Sequence, residues 1–504
     1  MKGCFLLQRN FAYIGHYLAV LLKERYGIED FCGYVYVRKM YNFLKSQHDI
    51  NYSLLLLDQE VHARYRNEKL DLPYLQWLER TYGIPNLWPY LAVDRVVMHN
   101  QLVREYPYDT PRYTHEEMLR ILQVKAKAVI NFLESERPDF VFLSVIGGIG
   151  SMLLYHIARK KGIRTIIVHP TSIRDTYVLS DTYTGFSGVE RIFKNQEQPS
   201  HDAYARARGF LDEFRKNPQP HYELAHPQKQ PTTRHQQFDF VKPKNFARNI
   251  RWIAKYFYWH FTRDDIHDYD YIGPWNYLKD ALRRKMRNLV GVGDLYDAYD
   301  PNENFAFFPL HYEPEITLLL YAPFFTDQSN LIKHIARSLP VGMSLYVKEH
   351  PAMVPYRPRS YYQQLKKIPN VKLIAPTVAS FDILPHAKLV TTITSTVGWE
   401  AALLGKPVVT FGEIFYNQLS FVKKCRALED LPLLVKHQLE KFAYDEAELI
   451  RFIATIFDEA ASLNLQFLWE RERDLKKKKE GLVSLANLLA KKLNLTPLSS
   501  NHTQ

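Results

Sequence analysis

The sequence predicts an α/β protein with two doubly wound domains, each built on a mainly parallel sheet. The chain of 504 residues, 46% of them hydrophobic, is long enough for two or three cores. Short apolar runs typical of buried strands alternate with helical patterns in residues 1–190, and again in residues 304–430. Between these regions the composition becomes polar and rich in Pro and Gln, which is typical of a linker.

The clearest unit of the first region is a predicted strand–helix–strand repeat. The stretch DFVFLSV (139–145) predicts a strand, residues 146–163 a helix, and RTIIVHP (164–170) a second strand. Such a βαβ unit implies parallel strands. The run GGIG before the helix lacks the spacing of a dinucleotide fingerprint, so we interpret it as a tight turn, with a ligand-binding turn as the alternative.

Residues 191–303 are predicted to contain a linker and a basic, aromatic helical insertion. The stretch from Phe246 to Gly293 has a helical pattern with two interpretations: an interfacial helix on an anionic membrane, or a helix packed on the core. The net charge of +12 favours an anionic partner, such as an acidic leaflet or a phosphorylated small molecule. The basic residues are scattered and no nucleic-acid module is recognisable, so we expect no nucleic-acid partner.

Residues 431–504 are predicted to form C-terminal helices and a polar tail, with the block KKKK (476–479) on a solvated helix face. The three cysteines have neither metal-ligand spacing nor an even-numbered disulfide framework. The N-terminus does not read as a signal peptide, and no apolar run approaches the ~18 residues of a membrane span. We therefore expect a cytoplasmic protein, with peripheral attachment at the inner leaflet of the plasma membrane as a further expectation.

Three predicted strands of the second domain end in polar side chains. Ligands of doubly wound sheets bind beyond the carboxyl ends of the strands, so we expect these side chains to share one site. The ends of strands 304–310, 344–350 and 388–394, with the residues that follow them, supply, in that order, His311, Glu313 and Glu315; Lys348, His350 and Pro351; and Ser395, Thr396, Gly398 and Glu400.

The loop after strand 388–394 has the chemistry of a phosphate site. Ser395 and Thr396 begin a predicted helix, whose first backbone amides are unpaired and whose dipole attracts anions. Gly398 would permit close approach, and Glu400, one turn further, could accept ribose hydroxyls. The alternative is structural, with Ser395 as a helix cap and Glu400 as a complement to the dipole.

The stretches FPLHYEPE, LYVKEHP and TTITSTVGWEAALLGKPVVTFGEIFY resemble the bacterial capsule polysaccharide synthesis family, over roughly residues 300–430. Its members are GT-B glycosyltransferases with two Rossmann-like domains facing a cleft, among them the β-Kdo transferases of capsule assembly. The resemblance implies a metal-independent glycosyltransferase without a cofactor. It would move a sugar from a CMP- or UDP-linked donor to a growing polysaccharide or its lipid-linked acceptor.

By the same resemblance, the pairs His350-Pro351 and Ser395-Thr396 are associated with the donor phosphate, and Glu400 matches a ribose-binding position. The Kdo-transferring members have a Gln-x-x-x-Asp motif where this chain reads His-Tyr-Glu-Pro-Glu, residues 311–315. The resemblance therefore does not identify the donor sugar.

The general base of the reaction is not determined by the sequence. Each candidate also fits a structural role: Asp58, Glu60, His169, His311 and Glu315, with His16 as a further one. Three other functions share parts of the pattern. They are a CDP-linked glycerophosphotransferase, a nonhydrolysing nucleotide-sugar epimerase, and a noncatalytic component of a polysaccharide assembly or export complex.

Overall fold

The computed structural model describes residues 1–100, 111–219, 238–239, 242–262, 269, 271–354 and 356–498. In chain order the strands are β1 (Lys2–Leu7), β2 (Asp30–Val35), β3 (Tyr52–Leu57), β4 (Phe140–Leu143), β5 (Arg164–Pro170), β6 (Thr176–Ser180), β7 (Phe305–Pro309), β8 (Ser344–Lys348), β9 (Val371–Ile374), β10 (Leu389–Thr392), β11 (Val408–Thr410), β12 (Val422–Lys424) and β13 (Ala460–Ser462).

The helices connect and cover these strands. In chain order they are α1 (Phe11–Tyr26), α2 (Arg38–Lys45), α3 (Asp58–Ala63), α4 (Leu72–Tyr82), α5 (Trp88–Ala92), α6 (Arg95–His99), α7 (His115–Glu136), α8 (Ile149–Lys160), α9 (Ser187–Lys194), α10 (His201–Lys216), α11 (Pro243–Thr262), α12 (Pro274–Val290), α13 (Ile316–Tyr321), α14 (Gln328–Ser338), α15 (Arg359–Lys366), α16 (Ser380–Ile383), α17 (Thr396–Leu403), α18 (Leu431–Glu440), α19 (Glu446–Glu459), α20 (Leu465–Glu470), α21 (Leu475–Gly481) and α22 (Val483–Leu493).

The first compact unit comprises residues 1–94, 113–210 and 450–504. Its seven-stranded sheet has the order β13-β6-β5-β4-β1-β2-β3, with β1 to β5 parallel and with β6 and β13 antiparallel to their neighbours. The central strand β1 is buried from Gly3 to Leu7, because helices cover both faces of a parallel sheet. Buried strands of this kind read as continuous apolar runs, which is how the sequence revealed them.

The second unit comprises residues 95–112 and 211–449. Its six strands are all parallel, in the order β12-β11-β10-β7-β8-β9. The chain moves outward from β7 to β8 and β9, and then crosses to the other side of β7 to form β10. The carboxyl ends of β7 and β10 therefore lie at the topological switch point, where doubly wound sheets bind ligands. The predicted fold class, α/β with two doubly wound units, is confirmed.

The structure groups the C-terminal residues differently from the predicted segment 431–504. Residues up to 449 belong to the second unit, whereas residues 450–504 return to the first. There β13 extends the first sheet through β6, and the buried leucines of α22 join the core that includes α1. Local patterns could not predict this return, because it depends on which exposed sheet edge and helix face the segment meets.

One lysine of the KKKK block is a correction to the predicted solvated face. Lys478 is buried, its ammonium donates to the backbone oxygen of Leu468, and its charge lies 5.5 Å from the centre of the Tyr13 ring. Burial lowers the pKa of Lys478. Lys476 and Lys477 are exposed, as predicted, whereas Lys479 is partly exposed and pairs with Glu24 at 2.6 Å.

The basic, aromatic insertion forms two helices, α11 and α12, and none of the residues of α11 is buried. The interpretation as a helix packed into the core is therefore wrong for α11. The Pro- and Gln-rich stretch at residues 220–237 lies outside the described residues. Within the described part of the chain, no helix combines the length and the apolar composition that crossing a membrane requires.

Leu489→Ala tests the docking of the C-terminal helix on the first unit. Leu489 is fully buried in the core that α22 shares with α1, so we expect the substitution to lower the free energy of unfolding by about 2–5 kcal/mol. Urea denaturation of the full chain measures the change. Leu72→Ala is the matched control, because Leu72 is exposed and its loss should cost less than about 0.5 kcal/mol. Equal effects of the two substitutions would contradict the docking.

Candidate functional site

The candidate site lies at the carboxyl edge of the second sheet, where the loops after β8, β7 and β10 are neighbours. The registers align Pro309 of β7 with Lys348 of β8, and Val390 of β10 with Phe307 of β7. Neighbouring strands are about 4.8 Å apart, so the outer two of these three loops begin about 10 Å from each other. The structure thus brings together the loops that carry all the second-domain site residues predicted from the sequence.

His311 ties the loop after β7 to the loop after β10. Its Nε2 accepts a hydrogen bond of 3.1 Å from the backbone N–H of Thr394, the residue immediately before Ser395. This contact requires a neutral imidazole with its proton on Nδ1. Burial, together with the positive charges of His350 and Arg357, lowers the pKa of His311 to about 3, so the neutral form persists at neutral pH.

Arg357 ties the same loop to the loop after β8. Its guanidinium is buried and donates to the carboxylates of Glu313 and Glu349, and at 2.7 Å to the backbone oxygen of His311. Glu349 also accepts a hydrogen bond of 2.8 Å from the hydroxyl of Tyr362. A buried cation between two carboxylates and a carbonyl oxygen fixes where each loop leaves the sheet.

His350 and Lys348 lie at the end of β8 in different environments. His350 is partly exposed, and its Nδ1 accepts a hydrogen bond of 3.2 Å from the backbone N–H of Ala352, which places the proton of a neutral ring on Nε2. Burial, with the charges of Arg357 and Lys348, lowers the pKa of His350 to about 4. The ammonium of Lys348 is buried and donates to the hydroxyl of Ser380 at 3.1 Å. His350 is thus a neutral hydrogen-bond donor at neutral pH.

The helix α17 begins at the switch point with its N-terminus at the sheet edge. The Ser395 hydroxyl caps the helix by accepting a hydrogen bond of 3.2 Å from the backbone N–H of Val397, which is the structural role weighed for it. The hydroxyl of Thr394 is buried, with 6% of the residue exposed, and has no hydrogen-bond partner among the described residues. An unpaired buried hydroxyl beside a helix N-terminus is a point where a bound anion gains hydrogen bonds.

Two residues of α17 have surroundings that the sequence did not indicate. A side chain at Gly398 would meet the Tyr416 hydroxyl at 2.3 Å and Thr392 Cγ2 at 2.8 Å, so the glycine makes room for Tyr416. That hydroxyl donates to the backbone oxygen of Ser395 at 2.7 Å. Glu400 is buried near Tyr416, whose pKa is raised by burial and by that carboxylate. Contact of Glu400 with a ribose stays a prediction.

A cavity of about 470 Å³ lies at the same edge of the second unit, beyond β8 and β9. The loop that starts at Pro351 forms one wall, and residues 375–377 after β9 form another. The end of α12 and the following glycines, residues 286–293, close the third side. Its lining is mainly apolar and includes the arginines Arg287, Arg357 and Arg359, and its volume is that of a small-molecule site.

The remaining catalytic candidates all have partners in the structure. Asp58 is buried and accepts from the Lys125 ammonium at 2.6 Å, and Glu60 pairs with Arg38 on the surface. Two buried histidines of the first unit have partners: His16 contacts the Tyr52 hydroxyl at 3.2 Å, and His169 contacts the backbone oxygen of Thr182 at 3.1 Å. Glu315 of the second unit is hydrogen-bonded to the side chain of Thr317, and burial raises its pKa. These contacts account structurally for Asp58, Glu60, His16 and His169, and the general base stays unassigned.

Sequence reasoning missed Arg357 and Thr394. Arg357 lies six residues after the His350-Pro351 pair, in a stretch that reads as an ordinary polar loop, and only its burial between two carboxylates reveals its role. The sequence pattern predicts Thr394 to be the last residue of the strand 388–394. Its position directly before the Ser395-Thr396 pair was the available signal.

A family profile and curated relatives both match this chain. The profile, described as "Capsule polysaccharide biosynthesis protein", matches residues 155–423, more than half of the chain. The protein FixF of Sinorhizobium fredii is 34% identical over 116 residues, 22% of this chain and 27% of that protein. The capsule polysaccharide modification protein LipA of Neisseria meningitidis serogroup B is 35% identical over 72 residues. These cover 14% of this chain and 10% of LipA, so the matches span only minor parts of both relatives.

Solved structures with a similar arrangement of elements include two kinds of sugar enzyme. KpsC of Thermosulfurimonas dismutans, a β-Kdo 2,7 transferase, aligns with a TM-score of 0.37 and 14% identity, over 71% of this chain and 89% of that one. The UDP-GlcNAc 2-epimerase of Neisseria meningitidis, solved with UDP-GlcNAc bound, aligns with a TM-score of 0.27 and 12% identity, over 98% of this chain and all of that one.

Arg357→Leu tests the buried ion cluster. The substitution leaves two buried carboxylates without their cation, so we expect the free energy of unfolding to fall by about 3–5 kcal/mol. Arg359→Leu is the matched control, because its pair with Asp294 is on the surface and is worth less than about 1 kcal/mol. Urea denaturation of both variants measures the difference, and a loss at Arg357 no larger than at Arg359 would contradict the assigned role.

The pKa of His311 predicts a pH dependence of stability. The folded state keeps this imidazole neutral down to about pH 3, whereas the unfolded chain binds its proton near the ordinary pKa of 6.5. The free energy of unfolding should therefore fall as the pH decreases below 6.5, by about 1.4 kcal/mol per pH unit for this one group. His311→Gln should remove that part of the slope. Urea denaturation at several pH values compares the slopes, and identical slopes would contradict the prediction.

Proposed function

This chain belongs to the capsule polysaccharide biosynthesis protein family, and on that premise we propose that it is a glycosyltransferase using a nucleotide-sugar donor. The family membership confirms the resemblance seen in the sequence, and the matched range extends it into the first unit. The acceptor we propose is a growing surface polysaccharide or its lipid-linked precursor. A CMP- or UDP-linked donor and a reaction that needs no metal are part of the proposal.

The observation that carries the proposal is the unpaired, buried Thr394 hydroxyl at the N-terminus of α17. A donor phosphate placed there would accept from this hydroxyl and from the first amides of the helix, whose dipole stabilises negative charge. His350, at the end of a strand in the same sheet edge, would supply a neutral N–H donor. The links through His311 and Arg357 hold these donors in place before the substrate arrives.

The cavity beyond β8 and β9 supports a place for the rest of the nucleotide. It shares Pro351 and Arg357 with the loop that carries His350, so a ligand could reach from the helix N-terminus into it. Its apolar walls suit a flat base, and the backbone at residues 375–377 offers hydrogen-bonding groups at its rim. We assign the base to this cavity within the proposal.

The chemistry that this arrangement would support is departure of a phosphate. In glycosyl transfer the bond between the anomeric carbon and the phosphate oxygen breaks, and its electrons remain on the leaving phosphate. The acceptor oxygen bonds to that carbon and releases its proton to a base. Donors already aimed at the leaving oxygen lower the barrier because they need no reorganisation, and removal of one such donor typically costs about 100-fold in rate.

Thermal shift with CMP, CDP and UDP tests nucleotide binding. A nucleotide that binds the folded state raises its melting temperature, so an enzyme of this kind should respond to at least one of the three. A response to CDP alone, with transfer of glycerol phosphate, would favour a glycerophosphotransferase. No response to any of them at millimolar concentration would contradict the proposed donor site and favour a noncatalytic protein.

His350→Ala should lower turnover by about 100-fold and leave the fold intact, because it removes one preorganised donor. Release of nucleotide from the responding donor class measures turnover, and circular dichroism checks the fold. His437→Ala on the exposed side of α18 is the control and should retain full activity. Normal activity of the His350 variant would exclude this role.

A further inference from the structure

The helix α12 carries an apolar stripe whose side chains are largely exposed to solvent. Side chains spaced by three or four residues lie on one face of a helix. Five of them on α12 share such a face and are between 39% and 68% exposed: Trp275, Leu278, Leu282, Met286 and Leu289. An apolar stripe normally packs on a core, so its exposure along a whole helix indicates a binding surface.

The helix α11 presents a similar face beside it. Phe246, Ile250 and Phe261 are each more than half exposed and lie on one side of the helix, whereas Lys244, Arg251 and Lys255 lie on another. Together the two helices contain nine Lys or Arg residues and one acidic residue. That acidic residue, Asp280, is paired with Arg284 of the same helix.

Aromatic contacts hold α11 and α12 together. Trp252 and Tyr256 of α11 both meet the Tyr277 ring of α12 edge-on, at 5.6 Å and 5.1 Å, and Phe257 meets Trp275 at 5.0 Å. These rings lie between the two helices, and Trp275, although 68% exposed, belongs both to this contact and to the exposed stripe. The pair is therefore a defined two-helix element, which we call the helical insert, residues 243–262 and 274–290.

The helical insert is attached to the loop that carries His350. Arg287 at the end of α12 donates to the backbone oxygen of Tyr356, and Arg359 donates at 3.2 Å to the backbone oxygen of Gly291. Met286 and Val290 line the cavity beyond β8 and β9. Whatever binds the helical insert therefore lies beside the candidate donor site of the same unit.

We propose that the helical insert binds the surface of an anionic lipid bilayer, with both helices lying in the interface. Apolar side chains of this size bury into the boundary between headgroups and acyl chains, and flanking Lys and Arg residues attract anionic headgroups. Tryptophan and tyrosine, which abound here, favour that depth. The location would bring the donor site to an acceptor attached to lipid.

The positive charge of the helical insert disfavours a second copy of the chain as its binding partner. A twofold dimer places the same patch against itself, so the nine basic residues of one helical insert would face nine of the other. The single carboxylate within the two helices, Asp280, is already paired, and the four aspartates of the connecting residues 263–270 lie outside the described residues. An anionic bilayer satisfies both the apolar stripes and the basic border.

Flotation of the full chain with vesicles tests the proposal. We expect binding to phosphatidylglycerol-containing vesicles at low salt, weaker binding at high salt, and little binding to phosphatidylcholine alone. Leu282→Glu combined with Leu289→Glu should lower the bound fraction by at least about tenfold, because both apolar anchors become charged. Lys255→Glu should weaken binding to the anionic vesicles specifically.

Matched substitutions outside the helical insert are the controls. Leu433→Glu and Lys436→Glu change exposed residues of α18 and should leave vesicle binding unchanged. If the variant with both Leu282→Glu and Leu289→Glu binds anionic vesicles as well as the wild-type chain does, the proposal is wrong. A wild-type chain that forms dimers and binds no vesicles, while the variant is monomeric, would assign the face to a second copy. If the chain binds vesicles but responds to no nucleotide, membrane binding by the helical insert is supported and the proposed use of a nucleotide-sugar donor is contradicted.

Discussion

The candidate site of the second unit depends on two contacts made by one residue that follows its central strand. His311 accepts the Thr394 N–H with its imidazole, and its backbone oxygen accepts from the buried guanidinium of Arg357. Loops at the end of a sheet are otherwise connected only through the strands that they leave. These two contacts, both in the protein interior, convert three separate loops into one rigid edge.

The rigidity bears on chemistry, because stabilisation of a departing phosphate requires donors that are already in place. The edge offers a helix N-terminus, an unpaired hydroxyl and a neutral imidazole. The buried contact between the Thr394 N–H and His311 fixes the backbone that carries the first two. The low pKa of His350 means that its contribution at neutral pH is a hydrogen bond rather than a charge. A phosphate close to the ring would favour the charged form and raise that pKa.

The surface of the second unit carries large exposed apolar side chains, which a folded unit normally keeps in its interior. The core of the unit is closed around its sheet, whereas α11 and α12 leave their largest apolar side chains in solvent. Folding of the unit does not account for such exposure, since burying those side chains would stabilise the chain. A function that uses the exposed stripes does account for it, and the attachment of α12 to the His350 loop places that function beside the candidate site.

By itself the sequence located β4, β5 and the helix between them in the first sheet, β7, β8 and β10 in the second, the sheet edge with the polar loops, and the family. Buried parallel strands are continuous apolar runs and their helices have a distinct period, so local patterns suffice to locate them. Only the tertiary structure decided that residues 450–504 return to the first unit, that Arg357 joins two loops, that Gly398 makes room for Tyr416, and that α11 is not buried. Each of these depends on contacts between residues distant along the chain, which local composition and periodicity do not encode.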